Sequence, residues 1–175
     1  MNQTGLVIVV PEAEARVGPM RRRYDPQASL GVPAHITVLF PFMQPELVDA
    51  EVRRRLKRLF RRCSPFVCQL AGVARFPATT YLAPIVAAPF IELTRAVVAE
   101  FPDYPPYGGA HAGVIPHLTV ADGDARAADI AEQELRVDLE RNGPITAHCG
   151  SVRLLENSTG RWRAMDEFGL VGHQG

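Results

Sequence analysis

The chain has 175 residues, 47% of them hydrophobic, and its 19 basic and 19 acidic side chains give a formal net charge of zero. That is one ordinary globular domain's worth of sequence, long enough to bury a core without a metal or disulfide staple and too apolar for wholesale disorder. The longest unbroken apolar run, Leu6–Val10, stops at Pro11, far short of the ~20 residues of a membrane-spanning helix.

The opening residues carry no positive cluster ahead of that run, so the expectation is a cytoplasmic protein without a leader, and a monomer by default. Cys63, Cys68 and Cys149 are odd in number and form no CxxC pair. This argues against a disulfide framework and against a thiolate zinc site. The neutral total hides an asymmetry. Residues 1–62 hold 11 basic and 6 acidic groups, and seven of those bases fall between Arg53 and Arg62. Such a cluster can meet a phosphate backbone or simply form a solvated helix face.

In chain order, Leu6–Val10 reads as a buried strand. Glu12 to about Tyr24 reads as a helix weakened in its middle by Gly18-Pro19. Gly31-Val32-Pro33 leads into a β-branched strand, His35–Phe40, stopped by Pro41. Glu46–Arg62 is the clearest helix, with Val48, Val52, Leu56, Leu59 and Phe60 as its apolar stripe. Strands are expected over Phe66–Val73 and Thr79–Val86, then a helix from Pro89 to about Phe101. A proline- and glycine-rich loop fills 102–116. A strand at His117–Ala121 and a helix from about Ala125 to Arg141 follow. The chain closes with a hairpin of Ile145–Glu156 and Arg161–Val171 around Asn157-Ser158-Thr159-Gly160.

One self-similarity carries chemistry. Pro33-Ala34-His35-Ile36-Thr37-Val38 recurs 82 residues later as Ile115-Pro116-His117-Leu118-Thr119-Val120, each time on a strand followed by a helix. Residues i and i+2 of a strand share a face. His35 therefore sits beside Thr37 and His117 beside Thr119, while Ile36, Val38, Leu118 and Val120 face the packing. Two half-lobes arranged this way would bring two imidazoles and two hydroxyls into one cleft. Imidazoles titrate near neutrality, so one can accept a proton while the other donates one. The hydroxyls can hold phosphate oxygens, and a protonated ring can stabilise developing charge. The scheme requires no cofactor and no metal.

The doubled motif, His35-Ile36-Thr37-Val38 and His117-Leu118-Thr119-Val120, resembles the two-histidine (2H) phosphoesterase superfamily, which includes 2′-5′ RNA ligase-like proteins and cyclic nucleotide phosphodiesterases. The resemblance extends to Tyr24-Asp25-Pro26, Phe40-Pro41-Phe42, the strand pair at Phe66–Phe76 and Tyr81–Leu82, and the closing Gly160-Arg161-Trp162 to Phe168-Gly169-Leu170. Ala34 stands where a proline often precedes the first motif. The resemblance implies an α+β fold over 1–175, bilobal and pseudo-symmetric, with two antiparallel sheets lining a central cleft and helices outside. It implies RNA 3′ ends or cyclic nucleotides as partners, and hydrolysis of a 2′,3′-cyclic phosphate to a 2′-phosphate. In that scheme His117 activates water, His35 protonates the departing 3′ oxygen, and Thr37 and Thr119 hold the phosphate.

Phe42, Tyr81, Tyr107, His111 and Arg153 are candidates for contacting substrate, each with an ordinary packing, loop or surface reading beside it. Trp162 reads as core. The alternatives are a reversible 2′-5′ ligase or 3′-end exonuclease, a non-catalytic RNA or nucleotide module using Arg53–Arg62, and a metal hydrolase built on His111, His117, Asp122 and Asp124. The last has no recognisable ligand spacing.

Overall fold

The computed structural model describes residues 2–110 and 113–172. Among the described residues, eight strands form two antiparallel four-stranded sheets. The first sheet contains β1 (Thr4–Val9), β2 (His35–Leu39), β7 (Ser151–Glu156) and β8 (Arg163–Gly169), in the order β2-β1-β7-β8. The second contains β3 (Phe66–Phe76), β4 (Thr79–Pro84), β5 (Leu118–Ala121) and β6 (Ile145–Cys149), in the order β5-β4-β3-β6. The helices are α1 (Pro11–Tyr24), α2 (Pro26–Ser29), α3 (Ala50–Arg61), α4 (Ala88–Glu100) and α5 (Ala125–Asn142).

This is the expected bilobal α+β architecture, and the repeat seen in the sequence has a counterpart in its topology. β1-α1-β2-α3 and β4-α4-β5-α5 run in the same order, and each places its His-x-Thr strand at the edge of its sheet. The first helix of each unit crosses to the other sheet: α1 packs on β5, and α4 packs on β2. Hydrogen bonds fasten these crossings. The Thr94 hydroxyl on α4 donates to the Val38 carbonyl of β2 at 2.7 Å. The Asp122 backbone N–H just beyond β5 donates to the Tyr24 carbonyl at the end of α1, at 2.9 Å. Edge strands β2 and β5 therefore lie side by side, with one apolar core running beneath both sheets through Leu6, Ile8, Ile36, Val38, Leu82, Leu118 and Val120.

Several boundaries differ from the sequence reading. α1 passes through Pro19 without a break. Proline cannot donate to the Ala15 carbonyl, but Ala15 and Pro19 both face solvent, where water can take the missing donor's place. The Glu46–Arg62 helix becomes a 3₁₀ turn at Pro45–Leu47 followed by α3, because the Asp49 carboxylate accepts from the Val52 N–H at 2.8 Å and caps the helix there. The segment expected as one strand, Ile145–Glu156, is split at Gly150: β6 pairs with β3 in the second sheet and β7 with β1 in the first. The three cysteines are free thiols, Cys68 and Cys149 buried and Cys63 half-buried.

Candidate active site

β2 and β5 alternate as their sequences require. Ile36, Val38, Leu118 and Val120 are buried, while His35, Thr37, His117 and Thr119 are partly open on the other face. The entry to β2 is held at two points, by the Val10 N–H donating to the Ala34 carbonyl at 2.8 Å and the Ala34 N–H donating to Glu14 Oε2 at 2.9 Å.

The two imidazoles are oriented by the same local device. His35 Nδ1 lies 2.8 Å from the Pro33 carbonyl, and His117 Nδ1 lies 2.6 Å from the Ile115 carbonyl. A carbonyl oxygen can only accept, so Nδ1 carries the proton in both rings. Each Nε2 is thereby left for the cleft, an acceptor when the ring is neutral and a donor when it is charged. The hydroxyls of Thr37 and Thr119 make no hydrogen bond among the described residues.

The two rings sit in different surroundings. His35 is half-buried, and the desolvation of its ring pushes its pKa down to about 4 against the ordinary 6.5. The Pro33 hydrogen bond works the other way, and the nearby charges of Arg21 and His117 push it further down. His117 enters this balance because a charge on its ring lies close enough to act on His35. Arg21 is a fully buried guanidinium. It donates to Asp25 Oδ2 at 2.8 and 3.2 Å and to the Val32 carbonyl at 3.1 Å, so a positive charge is fixed behind β2. His117 is braced by aromatic rings instead, with Phe76 at 5.4 Å in an edge contact and Tyr81 at 5.2 Å.

A cavity of about 390 Å³ opens beside His35 and Thr37, walled by Phe40 and Trp162. A second, of about 530 Å³, opens beside His117, bounded by Phe76, Tyr107 and Ile115. Tyr107 adopts the left-handed conformation (φ 53°), and its N–H donates to the Phe40 carbonyl at 2.8 Å, joining the loop of one lobe to the end of β2 in the other. Burial raises its phenol pKa.

The remaining candidates are distributed as follows. Tyr81 is buried but lies against His117, a support for the ring. Phe42 does not line the cleft: it is buried, edge-on to Phe101 and Tyr104 at 5.2 Å each, because its chain turns inward beneath β1. Arg153 stands in one cross-strand row with Val7 and Thr37, hence on the cleft face of the first sheet, and pairs with Glu167 at 3.5 Å. His111 lies outside the described residues. Trp162, expected as core, is instead a cavity wall. Of the metal-hydrolase set, Asp122 accepts from the Thr79 hydroxyl at 2.5 Å and Asp124 caps α5 at the Ala127 N–H, 2.6 Å away. The basic face of α3 is largely committed to ion pairs, Arg53 with Asp166, Arg54 with Glu51 and Arg55 with Glu100.

Sequence reasoning missed Gln3, Gln27 and Asn157, which line the cavity at His35. Asn157 accepts from the Gln3 N–H across 154 residues of chain, and Gln27 from the Trp162 indole across 135. No local pattern signals such pairs.

A model of the 2′-5′ RNA ligase superfamily matches residues 9–161. A Bacillus cereus protein named "Putative phosphoesterase" is 25% identical over 173 residues, covering 94% of this chain and 95% of its own. A Bacillus cytotoxicus protein of the same name is 26% identical over 133 residues, 71% and 73% of the two chains. Among solved structures, a Thermus thermophilus protein superposes with a TM-score of 0.66 at 18% identity, covering 98% of this chain and all of its own. Escherichia coli LigT, complexed with 3′-AMP, superposes with a TM-score of 0.64 at 16% identity, covering 97% and 98%.

Proposed function

Because the chain belongs to the 2′-5′ RNA ligase superfamily, we propose that it is a phosphodiesterase that opens 2′,3′-cyclic phosphates on RNA ends or nucleotides, leaving a 2′-phosphate. The observation that carries this reading is the placing of His35 and His117 on neighbouring edge strands, each with Nδ1 held by a backbone carbonyl and Nε2 left without a partner among the described residues.

Ring opening needs a proton taken from the attacking water and a proton given to the departing 3′ oxygen, and two imidazoles supply both without a metal. The electrostatics favour the exchange of the two roles expected from the sequence. With its pKa near 4, His35 is neutral at pH 7, so its Nε2 suits acceptance of the water's proton. His117, nearer solvent, then delivers a proton to the 3′ oxygen. The Thr37 and Thr119 hydroxyls donate to the non-bridging phosphate oxygens, where charge builds in the transition state. A 5′ hydroxyl in the water's place would attack the same phosphorus with the histidines in the same roles and the 3′ oxygen leaving protonated, so a 2′-5′ ligation follows from the same geometry.

The test is hydrolysis of 2′,3′-cyclic nucleotides and of a cyclic-phosphate-ended oligonucleotide in EDTA, with the product identified by ³¹P NMR. Wild type is expected to yield the 2′-phosphate, and His35→Ala and His117→Ala to lose turnover while remaining folded. Absence of turnover by folded wild type on every one of these substrates overturns the proposal.

A further inference from the structure

Resting on the cyclic-phosphate reading, we infer that the cavity beside His35 is a nucleobase subsite that selects bases bearing a carbonyl oxygen through two amide donors, Gln27 Nε2 and Asn157 Nδ2. The cavity holds about 390 Å³ and opens directly onto His35 and Thr37, within the ordinary range for small-molecule sites. Its walls are apolar and flat. Phe40 and Trp162 meet edge to face at 5.8 Å, and Trp162 packs with Val7, Val32 and Leu155. Two close approaches build that wall. Gly5 leaves room for the Phe40 ring, which a Cβ would meet at 3.1 Å. Gly31, at φ +98°, lets the chain pass the Trp162 carbonyl, 2.8 Å from where its Cβ would stand.

The polarity of both amides is settled by their partners. The Gln3 backbone N–H donates to Asn157 Oδ1 at 2.7 Å. The Trp162 indole N–H, which can only donate, meets Gln27 Oε1 at 3.2 Å. With each amide oxygen engaged, each NH₂ group is left without a partner among the described residues. An apolar pocket with a few placed donors is the common form of a small-molecule site. Among the described residues, the lining of the other cavity, at His117, includes no amide side chain.

Two donors select for acceptors. Uracil, cytosine and guanine each offer a carbonyl oxygen, whereas adenine's acceptors are ring nitrogens only, and two of them, N1 and N7, stand beside the exocyclic amine, whose N–H groups repel an approaching amide donor. A site built to hydrogen-bond a group rejects the analogue lacking it, because its own polar atoms lose their partners. Adenine is therefore expected to be the poorest of the four bases, with kcat/KM lower by about tenfold or more.

The experiment measures kcat/KM for the four 2′,3′-cyclic nucleotides with wild type, Gln27→Glu and Asn157→Asp. Each variant keeps the oxygen that receives the indole or the Gln3 N–H and replaces the NH₂ donor with an acceptor. Added negative charge slows all four substrates together, so the readout is the ratio of oxo bases to adenine. That ratio is expected to exceed about ten in wild type and to collapse in both variants. Equal rates for the four bases in wild type, or an unchanged ratio in both variants, overturn the subsite. Calorimetric binding of the four nucleoside 3′-monophosphates repeats the comparison without turnover. Base-selective binding with no hydrolysis sinks the cyclic-phosphate reading and keeps the subsite, and base-blind binding sinks the subsite alone.

Discussion

His35→Asn is expected to remove a block of the protein's acid sensitivity. The asparagine amide can keep the N–H donated to the Pro33 carbonyl while deleting the titratable ring nitrogen. Histidine takes up its proton near pH 6.5 in the unfolded chain, but His35 resists protonation down to about 4 in the folded one. Above pH 6.5 both states are neutral and the site contributes nothing to pH dependence. As pH falls through 6.5 the unfolded chain binds a proton that the folded protein refuses, so stability is lost until pH 4. A difference of that size corresponds to about 3 kcal/mol, and since His35 keeps part of its surface in water the expectation is about 2 kcal/mol. Urea unfolding at pH 7.5, 6, 5 and 4.5 measures it. Wild type should lose about 2 kcal/mol more than His35→Asn across that range, whatever the variant's stability at pH 7.5. Parallel curves for the two proteins would refute the reasoning, since they would mean His35 titrates as an ordinary surface histidine.

Other substitutions probe the rest of the construction. His35→Ala and His117→Ala are each expected to lower kcat by about 10²- to 10⁴-fold, the range for removal of a general acid or base, as measured with cyclic-phosphate substrates. Thr37→Val and Thr119→Val each remove one donor to a charged phosphate and should cost about tenfold to a hundredfold in kcat/KM, with circular dichroism unchanged. Asp25→Ala strips the buried Arg21 of its closest carboxylate, since Glu14 lies 4.0 Å away. Breaking such a pair should cost about 3 kcal/mol or more in chemical denaturation. Asp49→Ala removes the cap of α3 and should cost about 1 kcal/mol with little change in activity.

The strand pattern of the candidate site was legible in the sequence because it is local. Alternation over His35–Val38 and His117–Val120 is a property of adjacent residues, and the copy at a distance supplied the second half of the site. α5 was legible for the same reason, having its cap at Asp124 and its breaker at Gly143 on either side of one run. What stayed hidden depends on partners far along the chain. Nothing near Gly150 announces that β6 and β7 belong to different sheets, since the change is decided by β3 and β1. Phe42 follows a motif strand and reads as a cleft residue, yet Phe101 and Tyr104 hold it in the core. Gln27 and Asn157 carry no pattern at all; only the indole of Trp162 and the backbone of Gln3 orient them. The unequal environments of the two histidines were also beyond the motif, which is the same in both copies. Burial and Arg21 act on His35, while the rings of Phe76 and Tyr81 stand against His117.

That inequality is the centre of the account, and the pH dependence of kcat/KM reaches it most directly, because it reports the free enzyme's essential acid and base. With a 2′,3′-cyclic nucleotide in EDTA, wild type is predicted to show no loss of kcat/KM as pH is lowered from 7 to about 5, and to fall only as His35 takes up a proton near pH 4. The account is contradicted if kcat/KM falls steadily below pH 7 along an acid limb near 6.5, which would show that the working base is not the desolvated histidine.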